Sequence, residues 1–192
     1  KGSQTPSTPQ TPSGTTVPPS GARIRLCIEA DQRAGSLLDA LERANGWATF
    51  YCTPEFMENN GDLLRRLAVS GSAVGLLLDP EDPAESLDQQ LKRGNDALYR
   101  ATLTRTRLVY ADGGEETLQA LEQLGYSCLT PDMDRTDYKL ESAANAAALL
   151  KRVSARRRDM SVWLGTTASA AGVKEFVSSA QREGHYCRAM TE

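Results

Sequence analysis

Histidine is nearly absent from this sequence: His185 is the only one in 192 residues. A metal centre built on two imidazole ligands therefore cannot be assembled within the chain. No apolar run approaches the ~18 residues needed to span a bilayer, and no signal peptide is visible. Charge of neither sign dominates, since 22 Lys and Arg face 25 Asp and Glu, so nothing electrostatic points to nucleic acid. The basic triplet Arg156-Arg157-Arg158 is too short to alter that and reads as a solvated helix end, where cations complement the helix dipole. Cysteine is sparse, and Cys27, Cys52, Cys128 and Cys187 are far apart with no C-x-x-C pair. Each falls in a run with strand character, so buried free thiols are expected, with one disulfide or a metal site as the alternatives.

What is present divides into two parts. Residues 1–22 are almost wholly Ser, Thr, Pro, Gly and Gln and hold five of the nine prolines. With no aromatic residue and little to bury, this segment is expected to be a disordered or extended arm. A tether of this kind suits an exported domain held to a membrane or cell wall, a cytosolic linker being the alternative. Because the chain opens on Lys1 and not Met, an upstream signal or anchor is expected. Residues 23–192 form one domain's length, enough for a sizeable core.

Within that domain short apolar runs alternate with longer amphipathic ones. Strands are predicted at 24–28, 48–52, 73–78, 107–110, 126–129, 161–164 and 186–190. Helices are predicted at 35–45, 54–70, 83–103, 115–125, 140–157 and 170–184. Thr53-Pro54-Glu55 is a helix start, with a capping hydroxyl, a proline at the first helical position and an acid near the positive end. Gly71 is a stop. Seven strands with helices between them require parallel pairing through crossovers. Periodicity alone leaves an open doubly wound sheet and a closed barrel equally possible.

Several segments carry a family likeness. Trp47-Ala48-Thr49-Phe50-Tyr51-Cys52-Thr53-Pro54-Glu55-Phe56, Leu91-Lys92-Arg93-Gly94-Asn95-Asp96-Ala97-Leu98-Tyr99, Asp132-Met133-Asp134-Arg135-Thr136-Asp137-Tyr138 and Glu183-Gly184-His185-Tyr186 occur in the order and spacing of NodB-type polysaccharide deacetylases. The sequence resembles that family over about residues 23–192. The resemblance implies an α/β fold, a distorted (β/α)7 barrel in a single domain following the arm.

The resemblance also implies where catalysis would sit, and those positions have changed. The family's T-F-D-D-G corresponds to Cys27-Ile28-Glu29-Ala30-Asp31, which leaves Glu29 at the base position and Ala30 at that of a metal-binding Asp. The H-x-x-x-H ligand pair corresponds to Leu77 and Glu81. The R-P-P-Y-G segment corresponds to Val109-Tyr110-Ala111-Asp112-Gly113, and the late L-H-D to Leu164-Gly165-Thr166. Ala and Leu cannot ligate a metal, so the family's zinc site is not expected to assemble.

Strand ends carry the site in parallel β/α barrels. Glu29, Asp31, Asp79, Glu81, Asp82, Asp112, Asp132, Asp134 and Asp137 would gather there as an acidic rim. Loop capping by these acids is one reading, and oxygen ligation of Ca²⁺ or Mg²⁺ is the alternative. Tyr110 and Trp163 are candidates for stacking on a sugar. His185 is expected in a surface turn at the opposite end.

The expectation is thus a catalytically inactive deacetylase-like domain without a cofactor, exported and tethered, retaining glycan, cell-wall or protein binding. The binding candidates are Glu29, Asp31, Asp112, Asp132, Asp134, Tyr110 and Trp163. The alternative is a carbohydrate deacetylase with a rebuilt acidic site.

Overall fold

The computed structural model describes residues 21–134 and 139–191. Asp137 and all but the last two residues of the predicted arm lie outside them. The described elements are β1 (Arg23–Glu29), α1 (Ala34–Arg43), β2 (Ala48–Cys52), α2 (Pro54–Asn59), α3 (Gly61–Ser70), β3 (Ala73–Leu78) and α4 (Leu87–Thr102). They continue with β4 (Leu108–Ala111), α5 (Glu115–Gln123), β5 (Ser127–Cys128), α6 (Ala143–Arg156), β6 (Met160–Gly165), α7 (Ala170–Arg182) and β7 (Tyr186–Cys187).

Every strand pairing is parallel, in the order β5-β4-β3-β2-β1-β6. The chain leaving β5 then reaches β6: Met133 bridges Val162, and the Trp163 N–H donates to the Met133 carbonyl at 2.7 Å. The sheet thus curls back on itself as a distorted (β/α) barrel. β7 lies off this path, pairing with Arg23 and Ile24 of β1. It ends early, at Cys187 and not residue 190, because β2 takes over the same edge of β1 from Leu26 onward. The chain then passes beneath β2, where the Met190 N–H donates to Thr49 Oγ1.

Side chains alternate across this sheet with period two. Leu26, Ile28, Phe50, Leu76, Leu78 and Val109 face the helices, whereas Cys27, Tyr51, Leu77, Leu108, Tyr110 and Trp163 pack together inside the barrel. The predicted thiols are free: Cys27, Cys52 and Cys187 are buried and Cys128 is half-buried. Burial pushes the Cys27 and Cys187 thiols up to about 12, as expected for inert packing groups.

Three local expectations change. The predicted helix 54–70 is two helices, α2 and α3, meeting at Asn60, whose φ of −129° is not helical. The Asn59 and Asn60 amides donate to the Glu55 and Phe56 carbonyls, a competition with the backbone ladder that ends α2. The helix predicted from Pro83 begins at Leu87, where Ser86 and Gln89 form a reciprocal capping box. His185 is not a surface turn residue. Its side chain is only 12% exposed, because it is held between Ala22 and Ser154.

Candidate functional site

A cavity of about 780 Å³ opens at the C-terminal ends of the strands, where side chains emerging from successive strands converge. Its floor is aromatic. Tyr110 and Trp163 stack with ring centroids 4.1 Å apart, and Tyr51 meets each edge-on at 6.3 and 5.7 Å. Trp163 is 4% exposed, so it serves the barrel core and the cavity floor together. Gly75 makes this packing possible, since a Cβ there would lie 2.6 Å from Tyr51 Cδ1. Burial also raises the Tyr51 hydroxyl above its ordinary titration range. That hydroxyl is the only buried side-chain N or O atom among the described residues that lacks a hydrogen-bond partner.

The wall is acidic. Glu29 ends β1, Asp112 follows β4 and Asp134 follows the Met133 bridge, and all three line the cavity. No hydrogen bond or ion pair engages the Glu29 carboxylate among the described residues. Asp79, Glu81 and Asp82 come from the loop between β3 and α4. Buried Gln90 pins that loop: Nε2 donates to the Asp79 and Glu85 carbonyls, and Oε1 accepts from the Asp79 N–H. Asp79 and Asp82 further accept from the Glu81 and Ala84 N–H groups within the loop; the helix cap itself is Ser86.

Two predicted binding residues do not line the cavity. Asp31 pairs with Arg33 at 2.6 Å, and Arg33 continues to the Thr166 carbonyl. Burial raises the Asp31 carboxyl, but the Arg33 hydrogen bonds and charge outweigh this and hold it below the usual range. Asp132 accepts from the Ser161 N–H and Arg158 at 2.8 Å each. Burial is again outweighed, by Ser161 and Arg158, so its carboxyl also lies low. Both are fastening groups for loops. The basic triplet thus has a partner in this segment, Arg156 donating to the Asp132 carbonyl as well.

Glu55, Glu85 and Arg93 line the cavity and were not singled out by the sequence. Glu55 lies three residues beyond the end of β2, and that place after a strand is the available signal, hidden behind its value as a helix-start acid. Arg93 bridges Glu58 at 2.9 Å and Glu85 at 2.8 Å, a long-range relation no local pattern encodes.

The positions that the family resemblance assigns to metal ligands carry other side chains in this chain. Leu77 and Glu81 line the cavity, but Leu77 offers only carbon, and Ala30 packs with the helix-side core. Among the described residues no three His, Cys, Asp or Glu side chains gather as a metal-ion site. Val109 likewise faces the helices, so the inward position on β4 belongs to Tyr110.

No family model matches this sequence, and no curated protein sequence does either. The fold, by contrast, has clear counterparts among solved structures. A polysaccharide deacetylase from Bacillus cereus aligns with a TM-score of 0.72 at 16% identity, over 89% of this chain and 93% of that one. The peptidoglycan deacetylase PdaC from Bacillus subtilis aligns at 0.69 and 18% identity, over 90% and 89%. A mutant of a CE4 family pseudoenzyme with restored enzymatic activity aligns at 0.69 and 17% identity, over 90% and 67%. The chain has the polysaccharide deacetylase fold.

Proposed function

From that fold, we propose that this domain is a catalytically inactive deacetylase-like module that binds glycan. One observation carries the reading: carbon side chains stand at Ala30 and Leu77, yet the cleft remains open over an aromatic floor. Hydrolysis of an acetyl group by metal assistance needs a polarised carbonyl and an activated water, and neither can be organised by Ala and Leu. A pyranose needs only a flat apolar platform with polar groups around it, and Tyr110, backed by Trp163, and the acidic wall supply both. The Ser/Thr/Pro-rich segment 1–22 and the peptidoglycan activity of a structural neighbour support an exported, cell-wall-associated setting. No helix among the described residues is long and apolar enough to cross a membrane.

The test is dialysis against Zn²⁺, Co²⁺ and Ca²⁺ with metal analysis, followed by acetate-release assays on chitin oligomers and acetylated xylan. Neither stoichiometric zinc nor acetate is expected. Stoichiometric zinc accompanied by acetate release overturns the inactive reading.

A second reading has one observation in its favour. The Glu29 carboxylate stands at the family's base position, facing the cavity without a protein partner among the described residues. A rebuilt acidic hydrolase would use it, and metal-independent acetate release abolished by Glu29→Gln would establish that reading.

A further inference from the structure

We propose that the cavity selects cationic glycans, amino sugars bearing free protonated amines in place of N-acetyl groups. This rests on the glycan-binding reading above and adds the charge of the ligand. Among the described residues, eight carboxylates line the cavity against one cation, Arg93. That guanidinium is already shared between Glu58 and Glu85. The whole chain carries 25 acidic and 22 basic residues, so the imbalance belongs to the cavity and not to the protein at large. Clefts lined by one sign of charge concentrate ligands of the other.

The carboxylates are spread and not gathered. Glu29 ends β1, Asp112 follows β4 and Glu81 sits on the β3–α4 loop, around a space of about 780 Å³. Calcium takes about six to eight oxygens at roughly 2.3–2.6 Å, whereas no three acidic groups among the described residues meet as a metal site. A ligand with one amine per sugar would meet dispersed carboxylates one at a time. The floor is the independent element. Tyr110 on Trp163 offers a platform to a sugar face, and an aromatic face also attracts a cation. An N-acetylated sugar would use the platform alone; a protonated amine would use platform and wall.

Isothermal titration of the full chain with glucosamine tetramer and N-acetylglucosamine tetramer tests this. At low salt the amine tetramer is expected to bind at least about tenfold tighter, a gap set by unscreened charge. In about 1 M salt, where the Debye length is about 3 Å, the gap should close. The Glu29→Gln/Asp112→Asn variant, with an unchanged melting temperature, should also narrow it. Equal or tighter binding of the acetylated tetramer overturns charge selection and leaves glycan binding standing. Absence of binding by both overturns both readings. Equal affinity for spermine overturns the sugar component, and stoichiometric calcium binding that displaces the tetramer overturns the proposal in favour of a metal site.

Discussion

The His185 imidazole accepts a hydrogen bond at Nδ1 from the Ala22 backbone N–H, 3.0 Å away. An N–H can only donate, so Nδ1 is unprotonated and the neutral ring carries its proton on Nε2. That proton is directed to Ser154 Oγ at 3.1 Å, and the Ser154 hydroxyl donates to Glu183 at 2.8 Å. One side chain thereby ties the start of β1 to the end of α6 and the turn before β7.

Replacing His185 with Ala removes these bonds in a half-buried place and should cost about 1–3 kcal/mol of unfolding free energy. Urea denaturation measures this, and ligand binding should be unaffected. An unchanged midpoint would mean that the clasp contributes nothing.

Acid should loosen the loops held by Asp31 and Asp132. Both carboxyls titrate below their ordinary range in the fold. Their contribution to stability is therefore full above the unfolded-state value of about 4 and is lost as pH falls through the lower folded value. The denaturation midpoint of the wild type should fall steeply below about pH 4, and Asp31→Asn/Asp132→Asn should start lower and fall less steeply. Parallel profiles for the two proteins would contradict this origin.

Gly75→Ala should force the Tyr51 ring out of place, because the new methyl carbon would lie 2.6 Å from Tyr51 Cδ1. Overpacking of this kind costs about 1–3 kcal/mol. Thermal unfolding reads the loss. Tryptophan fluorescence should change with it, since Tyr51 packs edge-on against Trp163.

Tyr51→Phe is the converse case. Its hydroxyl is buried without a partner, so removing it should leave stability unchanged or raise it by up to about 1 kcal/mol. A loss of that size would reveal a bond to buried water.

The barrel's outline was legible because apolar alternation and helix stops are local. The 48–52 and 73–78 strands match β2 and β3 to the residue. Asn60 and Ser86 show where local reading fails, since a side-chain amide or hydroxyl competing with the helix ladder counts for more than a continuous amphipathic pattern. Glu29, Asp112, Asp134, Tyr110 and Trp163 meet around one cavity because each sits in the C-terminal half of a strand or just beyond it. Asp31 and Asp132 were placed beside them by the same rule. Their arginine partners turn them elsewhere: Arg33 stands only two residues from Asp31, a local pair the strand-end rule overlooks, whereas Arg158 lies 26 residues from Asp132, a separation with no signature in sequence.

The barrel closes on a seam made by Met133 and Val162, with the Trp163 N–H bonded to the Met133 carbonyl. The neighbouring β5 has only two residues, so this side has few backbone bonds and should exchange its amide hydrogens sooner than β1–β3. The same Trp163 supplies the floor of the cavity. A sugar seated on Tyr110, which stacks on that ring, would brace the seam from within and link occupancy to barrel closure. Ligand should slow exchange at the Trp163 amide before it slows exchange anywhere else.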